Sequence, residues 1–189
     1  MQKKIILASG SPRRRELLAG LNIDFKVDTG NTFEETFDQS TPHKDVPALM
    51  SVGKSHGFHR PLSDDEILIT SDTMVLMDGT IMGKPHSREQ AVEMLQALSG
   101  REHEVVTAVT IRDKSRETTF TDTTIVDFKP LTQSEIDYYI DTFRPYDKAG
   151  AYGIQEWIGY IGITGIRGSY FNVMGFPVHR VYAELQKFL

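Results

Sequence analysis

The stretch Ile5-Ile6-Leu7-Ala8-Ser9-Gly10-Ser11-Pro12-Arg13-Arg14-Arg15-Glu16-Leu17-Leu18 decides the fold. Ile5 to Ala8 is a short unbroken apolar run, the pattern of a strand buried on both faces rather than one that alternates inside and out. Ser11 suits a helix N-cap, Pro12 the first helical position, and Gly20 the stop. A buried strand that turns directly into a helix opens an α/β unit. It also leaves unpaired N–H groups and the positive end of the helix dipole facing the same way, a place that welcomes an anion. Gly10 lets backbone approach a phosphate, and Arg13 with Arg14 add forked donors suited to its oxygens. An ordinary capped helix with solvated arginines is the competing reading. The segment is not a P-loop, because the Gly-Lys-Ser/Thr ending is missing.

Downstream, the signals repeat the theme. Phe25 to Val27 reads as a short strand, and a helix is expected from Pro47 to Phe58 with Leu49, Met50 and Gly53 inward. Ile67 to Thr70 reads as a buried strand ending at Ser71 and Asp72. Thr73 to Met77 and Thr80 to Met82 flank Asp78-Gly79, a strong hairpin turn. Ser87 with Gln90 and Thr132 with Glu135 form capping-box patterns opening two helices. The first carries Ala91, Met94, Leu95 and Leu98 inward; the second carries Ile136, Tyr139, Ile140 and Phe143. Between them, Glu104 to Arg112 and Thr118 to Phe128 are expected as antiparallel strands joined around Asp113-Lys114-Ser115. A last helix starts at Pro177 with Val178, Val181, Tyr182 and Leu185 on one face, and Trp157 and Phe171 are expected in the core. The implied architecture is α/β: a mixed sheet flanked by helices, in one domain over residues 1–189.

Composition narrows the function. The 189 residues carry a net charge of -5, which argues against a broad basic surface for a nucleic-acid polymer. Any phosphate handled should therefore belong to a small molecule. No apolar run is long enough for a membrane span or a signal peptide, and cysteine is absent, which suits the cytoplasm.

Other candidate chemistry is scattered along the chain. A carboxylate at a strand end, Asp72 beside Ser71 and Thr73, could bind a metal or orient water. Lys54 and Lys84 are point charges suited to a triphosphate, and Glu34-Glu35 offers hard oxygen ligands for Mg²⁺. In Asp147-Lys148-Ala149-Gly150-Ala151-Tyr152-Gly153-Ile154-Gln155, the amide of Gln155 can read a base edge. His56 and His59 lack a third ligand and are read as surface rather than zinc-binding.

Taken together and in order, Leu7-Ala8-Ser9-Gly10-Ser11-Pro12-Arg13-Arg14, Ser71-Asp72-Thr73, Gly83-Lys84-Pro85, Leu98-Ser99-Gly100, the segment from Asp147 to Gln155, Gly168-Ser169-Tyr170 and Gly175-Phe176-Pro177 resemble the Maf family over essentially the whole chain. The resemblance implies a fold similar to inosine triphosphate pyrophosphatases, with two lobes about a cleft. It also implies a nucleoside triphosphate substrate, a divalent metal cation (Mg²⁺, with Mn²⁺ the other candidate), and a homodimer as in many members. Carried over by position, Asp72 would be the proton acceptor, and Ser9, Arg13, Arg14, Lys54 and Lys84 would contact phosphates. Glu35 and Asp72 would hold the metal. Arg13, Thr73 and Gln155 match the branch acting on dTTP and UTP. The implied reaction is a cut at the α-phosphorus that releases pyrophosphate. The rival is a nucleotide-binding regulator of cell division without turnover. Three departures stand out: Ser71 where alanine is usual, Phe176 where leucine is usual, and Glu156-Trp157 in place of a glycine-containing stretch.

Overall fold

Ile5, Ile6 and Leu7 are buried in β1 (Lys4–Leu7) in the computed structural model, which describes residues 3–189. Helix α1 (Pro12–Ala19) follows at once, its N-cap Ser11 accepting the Arg14 N–H at 3.4 Å and Gly20 closing it. β1 pairs in parallel with β2 (Phe25–Val27) on one side and with β3 (Glu66–Met77) on the other, Ile5 facing both Phe25 and Ile67. Hydrogen-bonded neighbours then run β2-β1-β3-β5-β6-β7, with β5 (Glu102–Arg112), β6 (Glu117–Phe128) and β7 (Ile163–Arg167). β4 (Thr80–Met82) pairs antiparallel with the end of β3. Parallel and antiparallel pairs together make this the mixed sheet that the alternating pattern implied.

Two compact units share the chain. The first holds residues up to Thr73 with Thr107–Asp122 and Gly175–Leu189; the second holds Met74–Val106 and Thr123–Met174. In the first, Ile6, Phe58, Leu62 and Leu68 form one core cluster with Ala8 against it. α2 (Val46–His56) and α7 (Val178–Leu185) belong to this unit. In the second, Val75, Val105 and Val126 pack with Met82, Ala149, Ile163 and Val173. α3 (Arg88–Leu98), α4 (Gln133–Phe143), a 3-10 turn (Ala149–Ala151), α5 (Trp157–Gly162) and α6 (Tyr170–Val173) complete it. No helix among the described residues is long and apolar enough to cross a membrane.

Several expectations need correction. The strand ending at Asp72 and the hairpin arm starting at Thr73 are one strand, β3, because β-branched Thr70, Thr73 and Val75 keep the backbone extended. What stops short of Asp72 is the pairing with β1, whose last partner, Leu7, lies opposite Ile69. The turn after β3 is as expected, with Asp78 at φ 51° and Gly79 at φ 74°. On α2 the buried stripe is Val46, Pro47, Met50, Ser51 and Ser55, so Leu49 points outward at 49% exposure. Tyr182 on α7 and Phe171 on α6 are also exposed, whereas Val181 and Leu185 are buried. At α3, Ser87 caps the Gln90 N–H, but the Gln90 side chain accepts the His86 N–H instead of closing the box.

α5 and β7 carried no sequence signal. Residues 157–167 switch from a six-residue helix to a five-residue strand within one step, at Gly162-Ile163, and neither is long enough to show a period.

Candidate active site

Asp72 sits in β3 with Ser71 and Thr73 as neighbours, and its burial is the first fact about its chemistry: the residue is 8% exposed. A carboxylate this buried needs partners. Lys54 supplies one, its Nζ 2.7 Å from Asp72 Oδ1. Lys54 reaches Asp72 because α2 is pinned to β3. Thr70 Oγ1 donates to the Ser51 carbonyl at 2.8 Å, and the Ser51 hydroxyl lies 2.9 Å from Thr110 Oγ1 on β5. Ser51 is one turn before Lys54, and Thr70 is two residues before Asp72 on the same face of the strand. The other carboxylate oxygen, Asp72 Oδ2, is buried with no hydrogen-bond partner among the described residues.

Glu35 Oε1 lies 3.2 Å from the same Lys54 Nζ, although its side chain, like Glu34, is exposed. Of the two loop acids, Glu35 is therefore the one beside Asp72's lysine. The ammonium sits between two carboxylates.

Arg14 ties this cluster to α1. Its Nε donates to the Gly175 carbonyl at 2.9 Å, Nη1 to the Ser71 carbonyl at 3.1 Å and Ser9 Oγ at 3.3 Å, and Nη2 to Thr73 Oγ1 at 2.9 Å. A guanidinium has five N–H groups, so one remains for a ligand. Desolvation, with Arg13's charge adding to it, lowers the Arg14 pKa to about 10 against the opposing pull of Asp72 and Glu35; it stays cationic at neutral pH. Thr73 Oγ1 also meets Thr107 Oγ1 at 2.9 Å. Arg13 is half-buried on the first turn of α1, and Ser9 is buried just before it. Thus Ser9, Arg13, Arg14, Glu35, Lys54, Asp72 and Thr73 fall in one unit and, through the contacts above, largely in one cluster.

Lys84 and Gln155 lie in the second unit. Lys84 is exposed in the loop after β4, and Gly150 N–H donates to the neighbouring Gly83 carbonyl at 3.0 Å. Gly150, at φ 69°, takes the left-handed conformation that reverses the chain ahead of Gln155. Gln155 is half-buried. Tyr152 OH lies 2.6 Å from His103 Nε2 on β5, and burial lowers the His103 pKa to about 4. Sequence reading did not single out Thr107, and it marked Glu156 only as a departure from the family pattern, without a partner. Tyr139 was visible only as an apolar inward position on α4, and its buried hydroxyl, which accepts the Gly153 N–H at 3.0 Å, has no local signature.

A triphosphate with its counter-ion suits this donor set. Lysine and arginine offset phosphate charge, and a buried carboxylate with one open oxygen can hold a water or a cation. Among the described residues no group of three or more His, Asp or Glu could hold a metal ion by itself. The donors are two carboxylates, which fits Mg²⁺, since that ion takes one or two protein carboxylates and completes its shell with water and substrate phosphates.

Comparison with known proteins gives a consistent result. The family described as "Maf-like protein" matches residues 4–188. A dTTP/UTP pyrophosphatase of Phocaeicola vulgatus is 49% identical over 184 residues, covering 97% of this chain and 95% of that protein. One from Parabacteroides distasonis is 48% identical, covering 98% and 96%. One from Christiangramia forsetii is 45% identical, covering 98% and 94%. Among solved structures, a HAM1 protein from Coxiella burnetii aligns over 98% of this chain and 100% of its own at a TM-score of 0.50 and 12% identity, a likeness of fold alone.

Proposed function

The chain belongs to the Maf-like protein family, and from that premise we propose that it hydrolyses dTTP and UTP to the monophosphate and pyrophosphate. The substrates are those in the names of the relatives at 49% and 48% identity. The observation that carries the chemistry is Asp72: one carboxylate oxygen is fixed by Lys54 and the other, buried, is open.

In this reading the open Asp72 Oδ2 accepts a proton from a water molecule, whose oxygen attacks the α-phosphorus. The bond from that phosphorus to the bridging oxygen breaks, and pyrophosphate leaves with the electron pair. Lys54 holds Asp72 in register and, with Arg13, Lys84 and the remaining Arg14 N–H, offsets charge that builds on the leaving group. Ser9 adds a hydroxyl near the phosphates. Glu35 and Asp72 are the residues that would hold a divalent cation, Mg²⁺ first and Mn²⁺ second. When bound, such an ion supplies Lewis acidity to the phosphate oxygens and acidifies the attacking water. Gln155 contacts the edge of the pyrimidine, and Thr73 with Arg13 contributes to that selectivity.

Residues 1–189 act as one functional domain on a free nucleotide. A polymer is disfavoured by the net charge of -5. The proposed setting is the cytoplasm and the proposed assembly a homodimer.

Asp72→Asn tests the proposal. It removes the proton acceptor at nearly constant shape, so pyrophosphate release from dTTP should fall by about a thousandfold or more while calorimetry still detects nucleotide binding. Release at the wild-type rate would remove Asp72 from the mechanism.

A further inference from the structure

Glu156 stands at the N-cap position of α5 yet makes no capping hydrogen bond with its side chain. Its carboxylate is engaged elsewhere. Oε1 pairs with Lys148 Nζ at 3.0 Å, and Oε2 accepts a hydrogen bond from the Tyr139 hydroxyl. Tyr139 is fully buried on α4, and the same hydroxyl accepts the Gly153 N–H at 3.0 Å. The Glu156 N–H in turn donates to the Gly153 carbonyl at 3.0 Å. Gly153 and Glu156 are thus tied to each other and, through one hydroxyl, to a buried ring. Only Ile154 and Gln155 lie between them, and Ile154 is itself buried. Lys148 closes the other side, its side chain 11% exposed and also paired with Asp147 Oδ1 at 2.8 Å.

This arrangement is costly unless it serves something. A half-buried glutamate and a nearly buried lysine lose hydration that their pairing only partly returns, and a glutamate at a helix N-cap forgoes stabilising its own helix. What the ring of contacts achieves is a fixed backbone at Gln155. A glutamine side chain has three rotatable bonds and reads a base edge well only if its anchor point is immobile. We propose that Glu156, with Tyr139 and Lys148, is a positioning brace that fixes Gln155 for pyrimidine recognition and so sets base selectivity without touching the nucleotide. The inference rests on the reading of Gln155 as the base contact.

The test compares Glu156→Ala, Glu156→Gln, Tyr139→Phe and Gln155→Ala with wild type, measuring kcat and KM for dTTP, UTP, dATP and GTP. Glu156→Ala and Tyr139→Phe should each raise KM for dTTP and UTP about tenfold, leave kcat within about threefold, and lower the preference for pyrimidines over purines. Glu156→Gln keeps an acceptor for Tyr139 and should restore part of that preference. The double variant Glu156→Ala/Tyr139→Phe should be clearly less than additive, because both changes break one network. Tyr139→Phe and Glu156→Gln are close in shape to the native residues and carry the test if Glu156→Ala fails to fold. A uniform loss of kcat on all four nucleotides with an unchanged preference overturns the brace. So does a collapse of preference in Gln155→Ala that no Glu156 or Tyr139 variant shares, and in that case the reading of Gln155 stands. An unchanged preference in Gln155→Ala overturns both.

Discussion

Ser71 carries a hydroxyl with no partner among the described residues, at 2% exposure, immediately beside Asp72. A buried orphan hydroxyl costs on the order of 1–3 kcal/mol, so Ser71→Ala should raise the urea midpoint by an amount equivalent to about 1 kcal/mol. An unchanged or lower midpoint would mean that the hydroxyl is paired in solution. Position 71 was legible as a departure in the sequence, but its consequence was not, since pairing depends on neighbours remote along the chain. Arg14 makes the same point from the other side. The dipeptide Arg13-Arg14 after a strand speaks of phosphate, yet Arg14 also ties α1 to the Gly175 carbonyl, 161 residues away, and to both neighbours of Asp72. Nothing local reveals that a guanidinium is mostly spent on its own protein.

At the scale of the element, local chemistry was the better guide where one side chain closes the structure. Thr132 accepts the Glu135 N–H at 3.2 Å while Glu135 accepts the Thr132 N–H at 2.8 Å, the reciprocal box expected from Thr-x-x-Glu. Thr132→Ala should cost about 1 kcal/mol of stability by chemical denaturation; no loss would show that the packing of Ile136, Tyr139 and Ile140 alone holds α4. The helix α2 was found, but its face was rotated, because Leu49 counted as apolar whereas the buried stripe enlists Ser51 and Ser55, which satisfy their hydroxyls inside. Close approach was similarly hidden. A Cβ on Gly159 would lie 1.8 Å from the Ile154 carbonyl oxygen, so α5 lies hard against the segment that carries Gln155. Gly159→Ala should therefore raise KM for dTTP or unfold the second unit, and wild-type kinetics with wild-type stability would contradict that packing.

For the whole molecule, the order of most strands and helices up to α4, the hairpin turn after β3 and the mixed sheet were legible because they rest on short-range patterns, whereas α5 and β7 were not. Two lobes were implied by the family resemblance, but which residues fall in which compact unit was not legible, because that depends on which parts of β3, β5 and β6 pack with which helices. The folded state also has a pH response that composition conceals. His103 is buried against Phe128 and Tyr152, and its pKa falls from 6.5 to about 4. With the folded value depressed below the unfolded one, protons bind the unfolded chain first as pH drops. Stability is therefore full above about pH 6.5, declines below it, and levels off beneath about pH 4, with a loss on the order of 2 kcal/mol by pH 5 from this group alone. His103→Gln should flatten that part of the stability profile; an identical slope would place the proton uptake elsewhere.

The central claim is attack of water on the α-phosphorus by a chain built around Asp72. The direct measurement is turnover of dTTP with Mg²⁺ in water enriched in heavy oxygen, followed by mass spectrometry of the products. The account predicts pyrophosphate and no orthophosphate, with the heavy oxygen in dTMP. Heavy oxygen in the pyrophosphate, or orthophosphate as the released product, would contradict it.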